Sequence, residues 1–123
     1  MRAAVLASLV SIAWFGLVTG CRGGAGDAAP PCSAVAARFL DIARHELASA
    51  KVDEATSRAV SDQLPAMRDA LAGACSEGTW GEAIRRCLVH ANDHGEFEAC
   101  EQQLTDEQRR DLDRATRGNP KTR

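Results

Sequence analysis

The sequence has no tyrosine and few other aromatic residues, with three phenylalanines and two tryptophans among 123 residues. It also lacks any stretch in which β-branched or aromatic residues alternate with polar ones, so we expect no β-sheet. Positive charge is not in excess, since 15 basic residues face 17 acidic ones. Because such a balance provides no basic surface for a phosphate backbone, we expect no nucleic-acid partner.

Motifs that carry catalytic chemistry are also missing. The chain contains no G-x-S-x-G, H-E-x-x-H, C-x-x-C or C-x-x-C-H pattern, which argues against common hydrolases, zinc proteases, thioredoxin-like proteins and haem attachment. The acidic pairs Asp53-Glu54 and Asp106-Glu107 fall in predicted first turns of helices, where the helix dipole favours carboxylates. We therefore predict that the protein is not an enzyme, holds no cofactor and has no identifiable small-molecule substrate.

An uncharged apolar segment of sixteen residues, Ala3 to Val18, follows Arg2 and precedes Cys21. The run Val18-Thr19-Gly20-Cys21 resembles the lipobox of bacterial lipoproteins. This resemblance implies that residues 1–20 are a signal peptide and that Cys21 carries palmitate-type acyl chains. A secretory signal that is cut near Asp27 is one alternative. The other is an uncleaved membrane anchor, for which sixteen residues are short.

The domain organisation follows from this leader. Residues 21–31 are rich in Gly, Ala and Pro, which predicts a flexible tether after the lipidated cysteine. Residues 32–117 form the predicted helical domain, and residues 118–123 a disordered tail. The residue after Cys21 is Arg22. In lipoproteins of the enteric type, an Asp at this position is associated with retention in the inner membrane, and this chain does not have it. The expected location is therefore the cell envelope, at the outer membrane, with the lipid on Cys21 as the membrane contact.

From Ser33 onward, apolar residues recur at three- and four-residue spacing, which predicts an all-α bundle of four to five short helices. The first helix covers about 33 to 50, and its predicted inner face is Val35, Phe39, Ile42, Ala43 and Leu47. Asp53 is predicted to cap the second helix, whose predicted inner face is Ala55, Val60, Leu64, Met67 and Leu71. Pro65 predicts either a kink or a break into two helices.

Later helix boundaries are predicted from caps and turns. Thr79 to Glu82 matches a capping box that would start a third helix at Trp80, and Thr105 to Gln108 matches another that would start the last helix. The third helix is predicted to end at the polar turn Asn92 to Gly95. Trp80 is predicted to be a core anchor whose indole N–H finds one acceptor, rather than an exposed binding residue.

Four cysteines follow Cys21, an even number that predicts two disulfides in an exported chain. Residues at equal distances from the turn of an antiparallel helical hairpin lie side by side. Cys32 and Cys75 lie about equally far from the turn near 51–53, and Cys87 and Cys100 are spaced in the same way around the turn near 92–95. We therefore predict the pairs Cys32–Cys75 and Cys87–Cys100.

The cysteine spacing also carries a resemblance. The chain is similar to a group of small, uncharacterised, cysteine-containing exported helical proteins and lipoproteins of the myxobacterial type. The residues that carry this similarity are Cys75, Glu77, Trp80, Cys87, Ala91 and Cys100, with Leu64-Pro65 before them and Leu104-Thr105 with Glu107-Gln108 after them. The resemblance implies a helical fold and an envelope location, and it implies no activity.

Three functions remain open from the sequence. The first is an envelope-anchored structural or interaction lipoprotein that acts through contact with an envelope protein. The second is a zinc-binding lipoprotein that uses His90 and His94 together with Cys87 and Cys100, since zinc takes tetrahedral Cys and His ligands. In an oxidising compartment we expect those two cysteines to bond to each other, so no metal site is predicted. The third is an accessory subunit of an envelope enzyme or secretion system.

Overall fold

The computed structural model describes residues 28–118 of the chain. These residues form five α-helices and contain no strand, so the predicted all-α class is confirmed. The helices are α1 Cys32–Ser49, α2 Glu54–Glu77, α3 Glu82–His90, α4 His94–Glu101 and α5 Asp106–Thr116. The predicted signal peptide, Cys21, residues 22–27 of the predicted tether and residues 119–123 of the predicted tail lie outside the described residues.

Two disulfides join the helices in pairs. Cys32 at the start of α1 is bonded to Cys75 in the last turn of α2, with the Cα atoms 5.7 Å apart. Cys87 of α3 is bonded to Cys100 of α4, again with a Cα separation of 5.7 Å. Both predicted pairings are confirmed, because each short connection folds its two helices into an antiparallel hairpin.

The core lies where the two hairpins meet. α1 packs along α2 and also against α3 and α4, while α5 lies along α2. Leu88 of α3 is completely buried, and the rings of Phe39 and Phe97 meet in a tilted arrangement with their centroids 6.0 Å apart. The buried residues of this core are Val35, Ile42, Leu71, Ala74, Cys75, Trp80, Leu88, Ala91, Phe97, Cys100 and Leu104.

Side-chain hydrogen bonds to backbone carbonyls hold the helices in place. Arg38 Nε of α1 donates to the carbonyl of Ala91 at 2.6 Å, which joins α1 to the α3–α4 connection. Gln108 Nε2 of α5 donates to the carbonyl of Gly78 at 2.8 Å, just beyond the end of α2. Both carbonyls lie where a helix ends and has no further intrahelical donor, so these bonds also complete the helix ends.

The predicted inner face of α2 is correct toward the disulfide and wrong near the connecting turn, and the predicted inner face of α1 is incomplete. Leu64 and Leu71 are buried as predicted, whereas Ala55 and Val60 are exposed. Ala36 and Leu40 on α1 are buried, although the predicted stripe did not include them. The exposure of Ala55 and Val60 has a tertiary reason. α2 has 24 residues, whereas α3, α4 and α5 have 9, 8 and 11, so these shorter helices leave the turn-side end of α2 uncovered.

Pro65 lies inside α2, which runs without a break from Glu54 to Glu77. The predicted alternative of two separate short helices is therefore wrong. Proline removes one backbone donor and crowds the preceding turn. The apolar contacts that bury Leu64 and Leu71 on either side of it explain why the helix continues nevertheless.

The connection between α2 and α3 is a Schellman motif and not the predicted capping box. The backbone N–H of Trp80 donates to the carbonyl of Cys75 at 3.2 Å, and the N–H of Thr79 donates to that of Ser76 at 3.3 Å. Thr79 has φ 46°, the left-handed conformation that this motif requires. Gly81 is the N-cap, so α3 begins at Glu82 rather than at Trp80, and the Glu82 side chain pairs with Arg86.

We expect Thr79→Gly to raise the free energy of unfolding by about 0.5 to 1 kcal/mol. A left-handed conformation costs a residue with a Cβ roughly 1–2 kcal/mol, and part of the gain is offset by the greater unfolded-state entropy of glycine. Urea denaturation followed by circular dichroism measures the change. Thr79→Ala is the control, since it keeps the Cβ and should give little or no gain, and a glycine variant less stable than wild type would contradict the prediction.

The remaining caps mostly follow the sequence. Asp53 accepts a hydrogen bond from the Thr56 backbone N–H at 2.9 Å, as predicted, and Thr105 with Gln108 forms a complete capping box at the start of α5. The turn after α3 is shorter than predicted, because Asp93 caps α4 and His94 is already its first residue. Within the part of the chain that the structure describes, no helix is both long enough and apolar enough to span a bilayer.

Candidate functional site

Arg85 of α3 holds the segment just before α1, where the predicted tether meets the helical domain. Its Nη1 donates to the carbonyl of Pro30 at 2.7 Å. Pro31 follows as the N-cap of α1, and its carbonyl accepts from the backbone N–H groups of Ala34 and Val35. The chain is thus fixed to the domain from Pro30 onward. Cys21, the predicted lipidation site, lies outside the described residues, and its acylation stays a prediction.

The four side chains of the zinc alternative are not assembled into one site. Cys87 and Cys100 are bonded to each other. His90 is the last residue of α3 and lines a cavity beside this disulfide, whereas His94 begins α4 and lines a different cavity beside Phe97. Among residues 28–118, no group of three or more His, Cys, Asp or Glu side chains is arranged to hold a metal ion.

Trp80 is 3% exposed and lies in the core, which confirms the prediction of a core anchor. The predicted acceptor for its indole is wrong, because Nε1 is buried with no hydrogen-bond partner among the described residues. A Cβ built on Gly78 would lie only 2.9 Å from this nitrogen, so the indole packs in the space that a side chain at position 78 would need.

A polar cavity of about 420 Å³ lies between α4 and α5, and we call it the acidic cavity. Its lining residues are Glu98, Glu101, Gln102, Asp106, Arg109, Arg110, Leu112 and Asp113. Burial raises the pKa of the Glu101 carboxyl, nearby His94 lowers it, and the carboxylates of Glu98 and Asp113 raise it further. Arg109 is paired with Asp106. The cavity therefore contains carboxylates and arginines, and it contains no serine, cysteine or histidine that would serve as a nucleophile or base.

We expect Glu101→Gln to raise the free energy of unfolding at pH 7. Because the pKa of Glu101 is higher in the folded protein than in the unfolded chain, its ionised form costs stability above the folded pKa. The gain in unfolding free energy should shrink as the pH falls through the folded-state pKa of Glu101. It should vanish below the ordinary glutamate pKa of 4.5. Urea denaturation at several pH values measures this dependence.

Asp62→Asn is the control for this variant. It also removes one negative charge, but from an exposed position on α2. If both variants show the same gain and the same pH dependence, the effect belongs to net charge and not to the environment of Glu101.

In the acidic pair Asp53-Glu54, one carboxylate caps α2 and the other forms an ion pair. Asp53 accepts from both the backbone N–H and the hydroxyl of Thr56, and these two hydrogen bonds lower the pKa of its carboxyl. Its neighbour Glu54 pairs with Arg58 one turn further along α2. These carboxylates are exposed and have structural partners, as the sequence interpretation expected.

An apolar groove of about 340 Å³ lies between the turn-side halves of α1 and α2 and the start of α4. Its lining residues are Phe39, Ile42, Ala43, Glu46, Leu47, Ala50, Val60, Leu64, Met67, His94 and Phe97. Val60 is 40% exposed, and Val52 in the adjacent turn is 45% exposed. We refer to this surface as the apolar groove. The sequence interpretation missed it, because it assigned Val60, Leu64 and Met67 to a closed core.

Comparison with known proteins gave no match to any family model, to any curated protein or to any solved structure.

Proposed function

We propose that the chain is a lipid-anchored protein of the bacterial cell envelope whose small helical domain acts through non-covalent contact rather than catalysis. The observation that carries this proposal is the use of the cysteines. The four cysteines of the domain are consumed in two disulfides within it. The fifth, Cys21, stands directly after an apolar leader in a lipobox-like run. Disulfides are typical of exported proteins, and acylation gives the remaining cysteine a role.

A non-catalytic role is supported by the chemistry of the cavities. The acidic cavity is lined by carboxylates, amides and arginines. The apolar groove is lined almost wholly by hydrocarbon. Neither brings together a nucleophile, a base and an oxyanion donor, which an acyl-transfer site needs. We therefore assign the domain a structural or interaction role, with an envelope protein as the partner.

The proposed anchoring is tested by the intact mass of the protein extracted from its own membranes. We expect a chain that begins at Cys21, carries two or three acyl chains, and is four hydrogens lighter than the all-thiol form. Cys21→Ser should abolish both the acyl mass and the membrane attachment. A full-length chain without acyl groups, or a chain that starts near Asp27, would contradict the proposal.

The proposed outer-membrane location is tested separately by separating the two membranes on a density gradient. We expect the wild-type protein in the outer-membrane fraction. Arg22→Asp changes only the residue after the acylated cysteine and should move the protein to the inner-membrane fraction. If wild type and variant both remain in the inner membrane, the outer-membrane location is wrong while lipid anchoring still stands.

A further inference from the structure

The apolar groove exists because the shorter helices α3, α4 and α5 cover only part of the longer α1–α2 hairpin. α1 and α2 extend past the start of α4, and apolar side chains such as Leu47 and Val60 are left without a covering layer. The volume of about 340 Å³ lies within the range of small-molecule sites, which are mostly apolar and hold one ligand. The groove is thus of a size for one slender ligand.

The polar groups at the edge of the groove already have partners in the protein. Oε1 of Glu46 accepts from the backbone N–H of His94 at 3.0 Å. Nε2 of His94 lies 3.6 Å from Oε1 of Glu98. A ligand that needs hydrogen bonds gains little here and would lose those it makes to water. The ligand chemistry that fits is therefore a hydrocarbon chain.

The tether is long enough to deliver such a chain from within the same molecule. Cys21 lies nine residues before Pro30, whose carbonyl is held by Arg85. Nine extended residues reach about 30 Å. Leu47, near the far end of the groove, lies about 22 Å from Cys32 along the axis of α1, at 1.5 Å per residue. Because the tether is covalent, it also keeps the acyl chain at a high effective concentration near the groove.

We propose that the apolar groove binds one of the acyl chains carried by Cys21 of the same molecule. This inference rests on the proposed lipid anchoring. One acyl chain lies against Ile42, Leu47, Val60 and Met67, while the others remain available to the membrane. The bound acyl chain is sheltered from water whenever the protein leaves the bilayer. Because stable anchoring needs more than one acyl chain in the membrane, binding of one chain in the groove also weakens membrane attachment.

The test uses cells that are supplied with a fatty acid carrying a photoreactive diazirine, which is incorporated into the acyl groups on Cys21. The membranes are irradiated, the protein is purified and digested, and crosslinked peptides are identified by mass. We expect the labelled Cys21 peptide to be joined to peptides from residues 39–50 or 60–67 of the same chain. Crosslinks from Cys21 only to lipids would overturn the proposal.

Two variants on one turn of α2 provide the matched comparison. Val60→Asp places a carboxylate in the groove and should reduce the intramolecular crosslink roughly tenfold, because hydrocarbon does not solvate a charge. Ala59→Asp introduces the same charge at an exposed neighbouring position outside the groove and should leave the crosslink unchanged. Both positions are exposed, and a thermal melt checks that each variant is folded.

The other outcomes separate the possible occupants. Crosslinks between the groove and a phospholipid, with none to the Cys21 peptide, would show that a membrane lipid occupies the groove. That result would overturn the proposal that the acyl chain on Cys21 is the occupant. Crosslinks from Cys21 to a second protein or a second copy of the chain would overturn it as well. A Cys21 peptide without any diazirine label would show that the lipid anchoring itself is wrong, which the intact mass would show independently.

Discussion

Simultaneous replacement of Cys32 and Cys75 by alanine is expected to lower the free energy of unfolding by about 4 kcal/mol. The bridge closes a loop of 43 residues. In the loop-entropy description, its loss lowers the free energy of the unfolded chain by about 4 kcal/mol, because the chain regains conformational entropy. Cys75 is only 1% exposed, so its removal also takes packing from the core. Since small domains have net stabilities of roughly 5–15 kcal/mol, much of the fold's stability depends on this bridge.

The second bridge provides the comparison for this prediction. Cys87 and Cys100 are 13 residues apart, so their replacement by alanine should cost about 3 kcal/mol in the same description. Urea denaturation of wild type and both double variants, followed by circular dichroism, gives the two values. A Cys32/Cys75 variant within 1 kcal/mol of wild type would show that packing alone holds α1 against α2.

Replacement of Trp80 by alanine is expected to cost about 3–5 kcal/mol, the range for large aromatic side chains in cores. Trp80 is the largest side chain of the core and lies beside the Cys32–Cys75 bridge, where the α2–α3 connection passes over the end of α2. Its loss would leave a cavity that the rigid bridge prevents from closing. The change is measured by urea denaturation under non-reducing conditions.

Trp80→Phe separates the contribution of the ring from that of its N–H. Because Nε1 has no hydrogen-bond partner among the described residues, removing it loses no bond, and the cost should be less than half that of the alanine variant. Val52→Ala, at an exposed position in the α1–α2 turn, should cost little and serves as a surface control. A phenylalanine variant as unstable as the alanine one would show that the indole N–H has a stabilising partner.

Much of the architecture could be predicted from the sequence because it depends on local chemistry. The caps at Asp53 and Thr105 are contacts between residues three apart, so nothing distant decides them. The disulfide pairing required only the positions of two turns, because an antiparallel hairpin brings together residues that are equally far from its turn. The burial of Trp80 followed from composition, since a domain with so few aromatic residues must use them in its core.

Two errors concern the α2–α3 connection, where the way α2 ends decided the outcome. The Thr79 pattern matches a capping box, but the Schellman bonds of Trp80 and Thr79 end α2 there, and α3 starts later. The indole of Trp80 was expected to find an acceptor, but it packs where a side chain at Gly78 would stand, and its N–H has no partner among the described residues. In both cases the backbone conformation at the end of α2 decided the contact, and the residue pattern alone does not specify that conformation.

The sequence by itself determined the helical class, most of the caps and both disulfides, since these depend on periodicity and on neighbours along the chain. Only the tertiary structure decided which apolar residues are covered. Val60 and Leu64 have the same spacing pattern on α2, yet Leu64 is buried and Val60 is exposed. The difference arises because burial depends on how far the shorter helices α3, α4 and α5 reach along α1 and α2. The periodicity within one helix carries no information about that length.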